Sequence, residues 1–485
     1  MKRAENLQRV RDRTDPWDII VIGGGATGVG CALDAASRGL DVLLLEQHDF
    51  GKGTSSRSTK LVHGGVRYLA QGNISLVRES LKERGLLLHN APHVVHKQAF
   101  IVPCYSLWQQ AFYGTGLKIY DLLSGKYSFG RSRILSKAKT VEMLPTVKKE
   151  GLSGGILYYD GQFDDTRLLI DLVKAAHDHA AAVLNYARVT GLLDDDWGSI
   201  AGVRFEDHLS GEKFKVPGRC VINATGAFCD AVRKMSDGKS KPIVTLSQGI
   251  HLVFDRKFLP GNNALMIPRT SDGRVIFCIP WLGATLIGTT DTPIDSAALE
   301  PHAMESEIDF IVETAADYLA EKPSRKDILS IFAGIRPLVK KGTTKNTASL
   351  SRGHTIEIDD NGLLTITGGK WTTYRRMAED AVNKAIEIHG LNAQNCVTET
   401  LRIAANNNEP TDPERLHPDL LYTIDDVLRA VRDEMAITVE DVLARRTRAL
   451  TRQASTERPD TAFYFVFFVC FAGKSSYSVE TTSSP

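Results

Sequence analysis

The strongest pattern of apolar and polar positions lies near the start of the chain. Residues 19–22 form an apolar, β-branched run that predicts a strand buried on both faces. Small and apolar residues then recur at helical spacing through Ala32 and Ala36, and Gly39 ends this predicted helix. A second apolar run at residues 42–45 predicts a neighbouring strand. This order of strand, helix and strand indicates a parallel sheet.

Weaker patterns organise the rest of the chain. Helical spacing recurs at residues 75–88, 166–182, 305–319, 374–388 and 420–450, and Asp164 or Asp165 is expected to cap the second of these helices. Strand patterns recur at residues 100–103, 154–160, 183–223, 242–335 (apart from the helix at 305–319) and 356–367. The predicted fold class is α/β with an α+β insert. It comprises a Rossmann-like dinucleotide-binding domain, an inserted antiparallel β-sheet domain and a helical C-terminal piece.

Composition and charge exclude several classes of protein. A net charge of +1 gives no electrostatic reason to expect a nucleic-acid partner. The seven cysteines contain no C-x-x-C pair, so we expect a reducing compartment, no disulfide framework and no metal site. Residues 1–16 lack the apolar core of a secretory signal, and no apolar run approaches the ~20 residues that span a bilayer. We therefore expect a soluble protein, or one attached to a membrane surface.

Two segments leave their role open. Residues 105–139 interleave aromatic and basic side chains, which suits the surface of an anionic membrane and equally suits an ordinary helix with a cationic face. Residues 451–485 form an atypical tail with an aromatic run at 461–471. We expect this tail to come from a frameshifted or truncated gene product.

Three glycines follow the first predicted strand with the spacing of a dinucleotide-binding turn. Gly23 permits the tight turn, Gly25 lets a pyrophosphate approach the backbone, and Gly28 lets helix and strand pack closely. The N-terminus of the following helix offers N–H groups to the phosphates. Glu46, eighteen residues past the last glycine, is placed to bind an adenosine ribose.

A hydroxyl-rich loop follows Glu46, where a NAD-linked dehydrogenase would enter another βα unit. It contains Thr54, Ser55, Ser56 and Ser58 and carries several cationic side chains. Hydroxyl and backbone N–H groups suit a second set of contacts to a long dinucleotide. Strands ending at residues 223–226 and at 368–370 meet similar small-residue turns, which makes FAD a better prediction than NAD.

The motifs of the chain resemble those of FAD-dependent glycerol-3-phosphate dehydrogenases, the aerobic respiratory type among D-amino-acid-oxidase-like flavoproteins. The most specific is Thr-Ser-Ser-Arg-Ser-Thr-Lys-Leu-Val-His-Gly-Gly-Val-Arg-Tyr-Leu at residues 54–69. The others lie at residues 22–28, 223–226, 279–281, 287–291, 334–338 and 368–375. The resemblance implies oxidation of sn-glycerol 3-phosphate to dihydroxyacetone phosphate, with electrons passed from FAD to membrane quinone. Two alternatives are a related oxidase using oxygen (on glycerol 3-phosphate, or on amino or hydroxy acids) and a flavin-binding protein without turnover.

The resemblance also implies roles for individual residues. Arg67 and Lys370 would hold the substrate phosphate, with Tyr68 beside them, because cationic donors suit phosphate. Arg336 would lie near the reacting carbon and steady developing alkoxide charge. A histidine suits the proton acceptor at neutral pH. His251 is the favoured base or relay, and His63 is expected to pack near the isoalloxazine and is the second candidate.

The expected cofactor contacts, partners and domain limits complete these predictions. The cofactor contacts are Gly23, Gly25, Ala26, Thr27, Gly28, Glu46, Thr54, Ser55, Ser56, Ser58, Lys60, Leu61, His63, Gly64, Gly65, Ala224, Thr225, Gly226, Asp291, Gly369, Lys370, Thr372 and Thr373. The implied partners are glycerol 3-phosphate, quinone, the inner face of the cytoplasmic membrane and, in a homodimer, a second copy. The expected FAD-binding domain covers residues 18–90, 150–230 and 335–390, the substrate domain 91–149 and 231–334, and the helical C-terminal domain 405–450.

Overall fold

The structure is a computed structural model, and it describes residues 1–70, 72–339, 353–405, 415 and 421–452. The strands of this part of the chain are β1 (Trp17–Ile22), β2 (Val42–Leu45), β3 (Leu61–Val62), β4 (Val95–Cys104), β5 (Arg133–Ser136), β6 (Gly154–Phe163), β7 (Ala182–Leu184), β8 (Ala187–Asp194), β9 (Ile200–Asp207), β10 (Lys213–Asn223), β11 (Val244–Asp255), β12 (Ala264–Ile267), β13 (Ile276–Trp281), β14 (Ala284–Gly288), β15 (Thr292–Ile294), β16 (Ile328–Val339), β17 (His354–Ile358) and β18 (Leu364–Gly368). Its helices are α1 (Arg3–Asp12), α2 (Ala26–Ser37), α3 (Val66–Ala70), α4 (Ile74–Asn90), α5 (Leu107–Ser124), α6 (Lys137–Met143), α7 (Asp165–Asp178), α8 (Cys229–Ser236), α9 (Glu305–Tyr318), α10 (Tyr374–His389), α11 (Ile424–Asp433) and α12 (Ala449–Arg452).

The first sheet contains the predicted strand–helix–strand unit. Its order is β17-β18-β10-β1-β2-β7, and β8 and β9 extend it from β10. Strand β1 pairs in parallel with both β2 and β10. Residues of α2, α7 and α10 cover one face of this sheet, and residues of α1, β8 and β9 pack against the other. Burial on both faces explains why residues 19–22 and 42–45 are apolar throughout.

The second sheet has ten strands in the order β15-β11-β14-β13-β12-β4-β6-β3, with β16 paired to β11 and β5 to β6. All but one of its pairings are antiparallel; β12 and β4 are parallel. The mixed architecture and the helical C-terminal piece confirm the predicted fold class. Strand β6 lies in this sheet because ten of its residues pair with β4, although the expected domain limits assign it to the dinucleotide-binding domain.

The observed elements follow the predicted patterns closely for the long helices. Asp164 caps α7 by accepting a hydrogen bond from the N–H of Arg167 at 3.0 Å. The predicted C-terminal helix divides into α11, a π turn at Asp441–Arg446 and α12. Residues 406–414 and 416–420, which precede the predicted C-terminal helix, and the atypical tail from residue 453 lie outside the described residues. In the described ranges, no helix combines the length and the apolarity that crossing a bilayer requires.

Candidate functional site

A cavity of about 790 Å³ lies between the two sheets. Its walls include the glycine turn and β2 end of the first sheet and parts of β11, β13 and β16 of the second. This volume falls within the range of small-molecule and cofactor pockets. Most of the sequence-predicted site residues line it, so the structure brings together motifs that are far apart in the chain.

The glycine turn is shaped by contacts that leave no room for side chains. Gly23 has a φ of +111°, and a Cβ there would lie 2.8 Å from the carbonyl oxygen of Ala224. A Cβ at Gly28 would lie 1.9 Å from the carbonyl oxygen of Gly23, so α2 packs directly on the turn. Gly25 is the N-cap of α2 and faces the cavity. The start of this helix therefore faces the cavity, where its N-terminal end favours an anionic group.

Glu46 lies at the end of β2 and lines the same cavity. Its carboxylate accepts hydrogen bonds from the N–H of Gly24 at 2.7 Å and of His48 at 2.9 Å. Burial raises the pKa of Glu46 above its ordinary value, although these two N–H groups act in the opposite direction. An acceptor at this place suits the hydroxyl groups of a ribose.

The hydroxyl-rich loop uses most of its hydroxyls to hold its own shape. Ser55 Oγ accepts a hydrogen bond from the N–H of Ala26 at 2.9 Å, which ties the loop to the start of α2. Thr54 donates to the carbonyl oxygen of Ile335 at 2.6 Å. Ser56 donates to the carbonyl oxygen of Gly51 at 2.8 Å. These hydrogen bonds fix the conformation of the loop at the edge of the cavity.

Lys60, expected at the cofactor, lies instead in a buried ion pair. Its Nζ donates to both carboxylate oxygens of Asp165 at 2.8 Å and to the carbonyl oxygen of Ser56 at 2.7 Å. Both side chains of the pair are fully buried, and neither residue lines the cavity. The physical reason is that a buried ammonium needs an anion, and Asp165 on α7 is the anion within reach.

Two of the predicted cationic residues line the cavity. Arg336 donates to the carbonyl oxygen of Thr290 at 3.0 Å and to Thr289 Oγ1 at 2.9 Å. Lys370 Nζ lies 4.1 Å from the centre of the Tyr68 ring and 3.4 Å from Ser80 Oγ. The third, Arg67, belongs to α3, but its side chain lies outside the described part of the structure. These two hydrogen bonds fix the position of the Arg336 guanidinium at the wall of the cavity.

His251 is the buried histidine of the site. Its Nε2 lies 2.9 Å from Thr59 Oγ1, and its ring stacks on Phe332 with centres 4.8 Å apart. Burial, together with the charges of Arg336 and Lys60, holds the pKa of His251 well below its ordinary value. The ring is therefore neutral at neutral pH. His63 also lines the cavity, with its ring 6.5 Å from that of Phe277.

The remaining predicted residues divide by whether they line the cavity. Those that do are Gly23, Gly25, Ala26, Thr27, Glu46, Thr54, Ser55, Ser58, Leu61, His63, Gly65, Ala224, Thr225, Gly226, Asp291, Gly369, Lys370 and Thr372. Those that do not are Gly28, Ser56, Lys60, Gly64 and Thr373. Gly64 is packed beneath the surface, where a Cβ would lie 2.4 Å from the Tyr120 hydroxyl and from Leu81.

Three threonines of the site were missed from the sequence. Thr59 contacts His251, and Thr289 and Thr290 hold Arg336. All three lie inside motifs that carry the family resemblance, so their position in these motifs could have indicated that they belong to the site. Nothing in the local pattern distinguished them from neighbouring hydroxyl residues.

Comparisons with known proteins agree with this geometry. Residues 18–375 match the family model described as FAD dependent oxidoreductase, and residues 364–459 match that of the C-terminal domain of alpha-glycerophosphate oxidase. A mitochondrial glycerol-3-phosphate dehydrogenase of Arabidopsis thaliana is 46% identical over 80% of this chain and 64% of its own length. The human mitochondrial glycerol-3-phosphate dehydrogenase is 45% identical over 78% of this chain and 54% of its own length. The chain thus spans about one half to two thirds of the length of these two relatives.

A solved structure supports the same relationship. The glycerol-3-phosphate dehydrogenase from Bacillus halodurans, solved in complex with FAD, has a TM-score of 0.76 and 28% identity, over 98% of this chain and 94% of that one. The L-alpha-glycerophosphate oxidase from Mycoplasma pneumoniae shares the fold, with a TM-score of 0.60, 17% identity and coverage of 80% and 98%.

Proposed function

The chain belongs to the family of FAD-dependent oxidoreductases, and from that premise we propose that it oxidises sn-glycerol 3-phosphate to dihydroxyacetone phosphate. One observation carries the proposal. A single cavity is lined by the dinucleotide-type glycine turn, by Glu46 and by the cationic residues Arg336 and Lys370. The first two suit a dinucleotide, and the last two suit a small anionic substrate beside it.

The residues present fit FAD. The start of α2 at Gly25 faces the cavity, where a pyrophosphate would lie, and Glu46 offers acceptors for ribose hydroxyls. Thr225 and Thr372 would make further contacts where two strand ends meet the cavity. Bound flavin supplies an acceptor for the hydride that the substrate loses.

Substrate recognition would fall to the cationic residues. Lys370, held above the Tyr68 ring, would bind the phosphate together with Arg67. Arg336 would stabilise negative charge as it develops on the substrate oxygen, because Thr289 and Thr290 already fix its guanidinium. We expect a requirement for the phosphate, since glycerol carries no anionic group for Lys370 to bind.

The proton of the reacting hydroxyl needs an acceptor. His251 is neutral at neutral pH, lines the cavity and is oriented by Thr59. It would take this proton directly or through the Thr59 hydroxyl. His63 would pack against the cofactor without taking part in proton transfer.

Anaerobic reduction tests the proposal. Glycerol 3-phosphate should bleach the flavin absorbance of the purified protein, and glycerol should not. Lys370→Met should retain bound FAD and require a much higher glycerol 3-phosphate concentration for the same bleaching. No bleaching of the fully flavin-loaded parent would refute the proposed substrate.

The electron acceptor is tested in the same preparation. We propose that it is a membrane quinone, with the protein at the inner face of the cytoplasmic membrane. A quinone analogue should then support turnover with little peroxide. The match to a glycerophosphate-oxidase domain favours oxygen as the second candidate acceptor, and stoichiometric peroxide would identify it.

Helix α5 supports the proposed membrane attachment. Trp108 and Leu122 are 69% and 81% exposed, and Phe112 stacks on Trp108 with ring centres 5.0 Å apart. The exposed basic residues Arg131 and Lys137 follow the helix, so the surface combines apolar insertion with attraction to anionic lipid.

Sedimentation with vesicles containing anionic lipid tests this surface. Trp108→Ser/Leu122→Ser should reduce binding severalfold. Trp197→Ser is the matched control, because Trp197 is 88% exposed in the turn between β8 and β9. Equal binding by the double variant and the parent would rule out α5 as the attachment surface.

A further inference from the structure

The C-terminal segment, residues 421–452, packs directly behind the loop that enters the cavity after β2. We define this loop, residues 46–53, as the β2 loop. Its residues Glu46, Gly51 and Lys52 line the cavity, whereas Asp49 points away from it. None of the described residues of the C-terminal segment lines the cavity. An influence of this segment on a bound dinucleotide is therefore indirect, and the β2 loop is an element that can transmit it.

Asp49 joins the two parts through a buried ionic cluster. Arg446 donates to Asp49 Oδ2 at 2.7 Å and to Oδ1 at 2.9 Å. Arg445 donates to Oδ2 at 2.5 Å, and all three side chains are at most 3% exposed. Burial by itself raises the pKa of Asp49, and the two guanidinium groups outweigh it, so the pKa is lowered. The carboxylate is therefore charged at neutral pH and is paired with both arginines.

A second connection lies nearer the surface. Glu440 accepts hydrogen bonds from Lys52 Nζ at 2.8 and 2.9 Å and from Arg445 at 2.9 Å. Lys52 belongs to the β2 loop, so Glu440 links the loop to the same arginine that binds Asp49. The loop is thus fixed to the C-terminal segment at two points.

The other side of the β2 loop is tied to the glycine turn. The N–H of Gly51 donates to the carbonyl oxygen of Gly24 at 3.0 Å, and the N–H of Gly24 donates to Glu46 at 2.7 Å. A shift of Asp49 would therefore move Glu46 and the turn together. Both are groups that a dinucleotide contacts.

We propose that Arg445 and Arg446 are positioning residues that hold the β2 loop in the shape that binds the flavin nucleotide. The C-terminal segment is then a required part of the cofactor site without contacting the cofactor. This inference rests on the proposed binding of FAD. Without the arginines, the loop retains more freedom, and binding FAD must order it at a cost in affinity.

Titration of the flavin-free full chain with FAD, followed by flavin fluorescence, tests this role. Arg446→Met should raise the Kd for FAD about tenfold or more, because preorganisation is lost. Arg446→Lys keeps the charge and should give an intermediate Kd. A Kd for Arg446→Met equal to that of the parent would overturn the inference. A parent chain that does not bind FAD would instead refute the proposed function.

Arg167→Met is the matched control. Arg167 on α7 binds Glu434 of the same C-terminal segment and Asp171, but makes no contact with the β2 loop. Its loss should lower thermal stability while leaving the Kd for FAD within about twofold of the parent. Equal weakening of FAD binding by both variants, at equal loss of stability, would show that the effect is general destabilisation and overturn the inference.

Glu440→Gln provides a second variant, should Arg446→Met fail to fold. Glu440 is 45% exposed, so its replacement leaves Asp49 paired with Arg445 and Arg446 and weakens the links of Glu440 to Lys52 and to Arg445. The Kd for FAD should then rise about threefold. An unchanged Kd would overturn the inference.

Discussion

The buried pair of Lys60 and Asp165 gives the sharpest test of how the hydroxyl-rich loop is held. Asp165→Asn keeps the shape of the side chain and its acceptor for the Ser58 hydroxyl, which lies 2.7 Å away. It removes the negative charge that lies 2.8 Å from Lys60 Nζ. The carbonyl oxygen of Ser56 then remains as a neutral acceptor for the ammonium.

The size of the effect follows from burial. Both side chains of the pair are 0% exposed, so water cannot replace the lost charge. Removing one partner of a buried ion pair costs about 3–5 kcal/mol. Replacing both partners removes the unpaired charge, so Lys60→Met/Asp165→Asn should recover about half of that loss or more. The double variant should also bind FAD like the parent, because Lys60 does not line the cavity.

Urea unfolding followed by tryptophan fluorescence gives the free energies. Glu305→Gln is the matched control, because Glu305 pairs with Arg325 on the surface, where the side chains are 79% and 44% exposed. It should cost about 0–1 kcal/mol. If Asp165→Asn were as stable as Glu305→Gln, the argument that burial makes the Lys60–Asp165 pair costly to break would be refuted. Loss of FAD binding in the folded double variant would show that Lys60 does contact the cofactor.

Three further predictions concern the cavity. In Gly249→Ala, the added Cβ would lie 2.4 Å from the Arg336 guanidinium and displace it. With a dye as electron acceptor, kcat for glycerol 3-phosphate should therefore fall about tenfold or more while FAD stays bound. An unchanged kcat would argue against a role for Arg336. Gly28→Ala would place a Cβ 1.9 Å from the Gly23 carbonyl oxygen, so the purified protein should lack flavin absorbance, whereas retained FAD would contradict this packing. Because the pKa of His251 is lowered in the folded protein, the unfolded chain binds a proton at this histidine below about pH 6.5 and the folded protein does not. The free energy of unfolding therefore decreases as the pH falls below that value. His251→Gln should therefore lose less unfolding free energy than the parent between pH 7 and pH 5, and equal losses in urea titrations would contradict the assignment.

The predicted residues whose common position follows from local sequence are those that lie within one supersecondary unit. Gly23, Gly25 and Glu46 belong to one strand–helix–strand unit, whose spacing fixes their relative positions. Arg336 and Lys370 were also expected at the site, but through the resemblance of their motifs. Spacing alone does not place residues from separate strands in one cavity.

The parts that could not be predicted depend on contacts between distant segments. The partner of Lys60 lies 105 residues away on α7, and no local pattern shows that a cationic residue in a polar loop will turn inward. Asp165 was expected at most to cap a helix, and Asp164 does so instead. The contacts of Asp49 with Arg445 and Arg446 span 396 and 397 residues. Such pairs become visible only when the fold is known.

The path of the chain between the two sheets limits how this protein can be divided. Among the described strands, β1 and β2 belong to the first sheet, β3–β6 to the second, β7–β10 to the first, β11–β16 to the second, and β17 and β18 to the first. Neither sheet can therefore be expressed from one continuous gene fragment. Each cut between these blocks separates strands that must pair, so the two sheets should fold as one cooperative unit, slowly, because many of their contacts join distant residues. Split reporters and separately expressed domains of this protein should consequently aggregate unless both fragments are produced together.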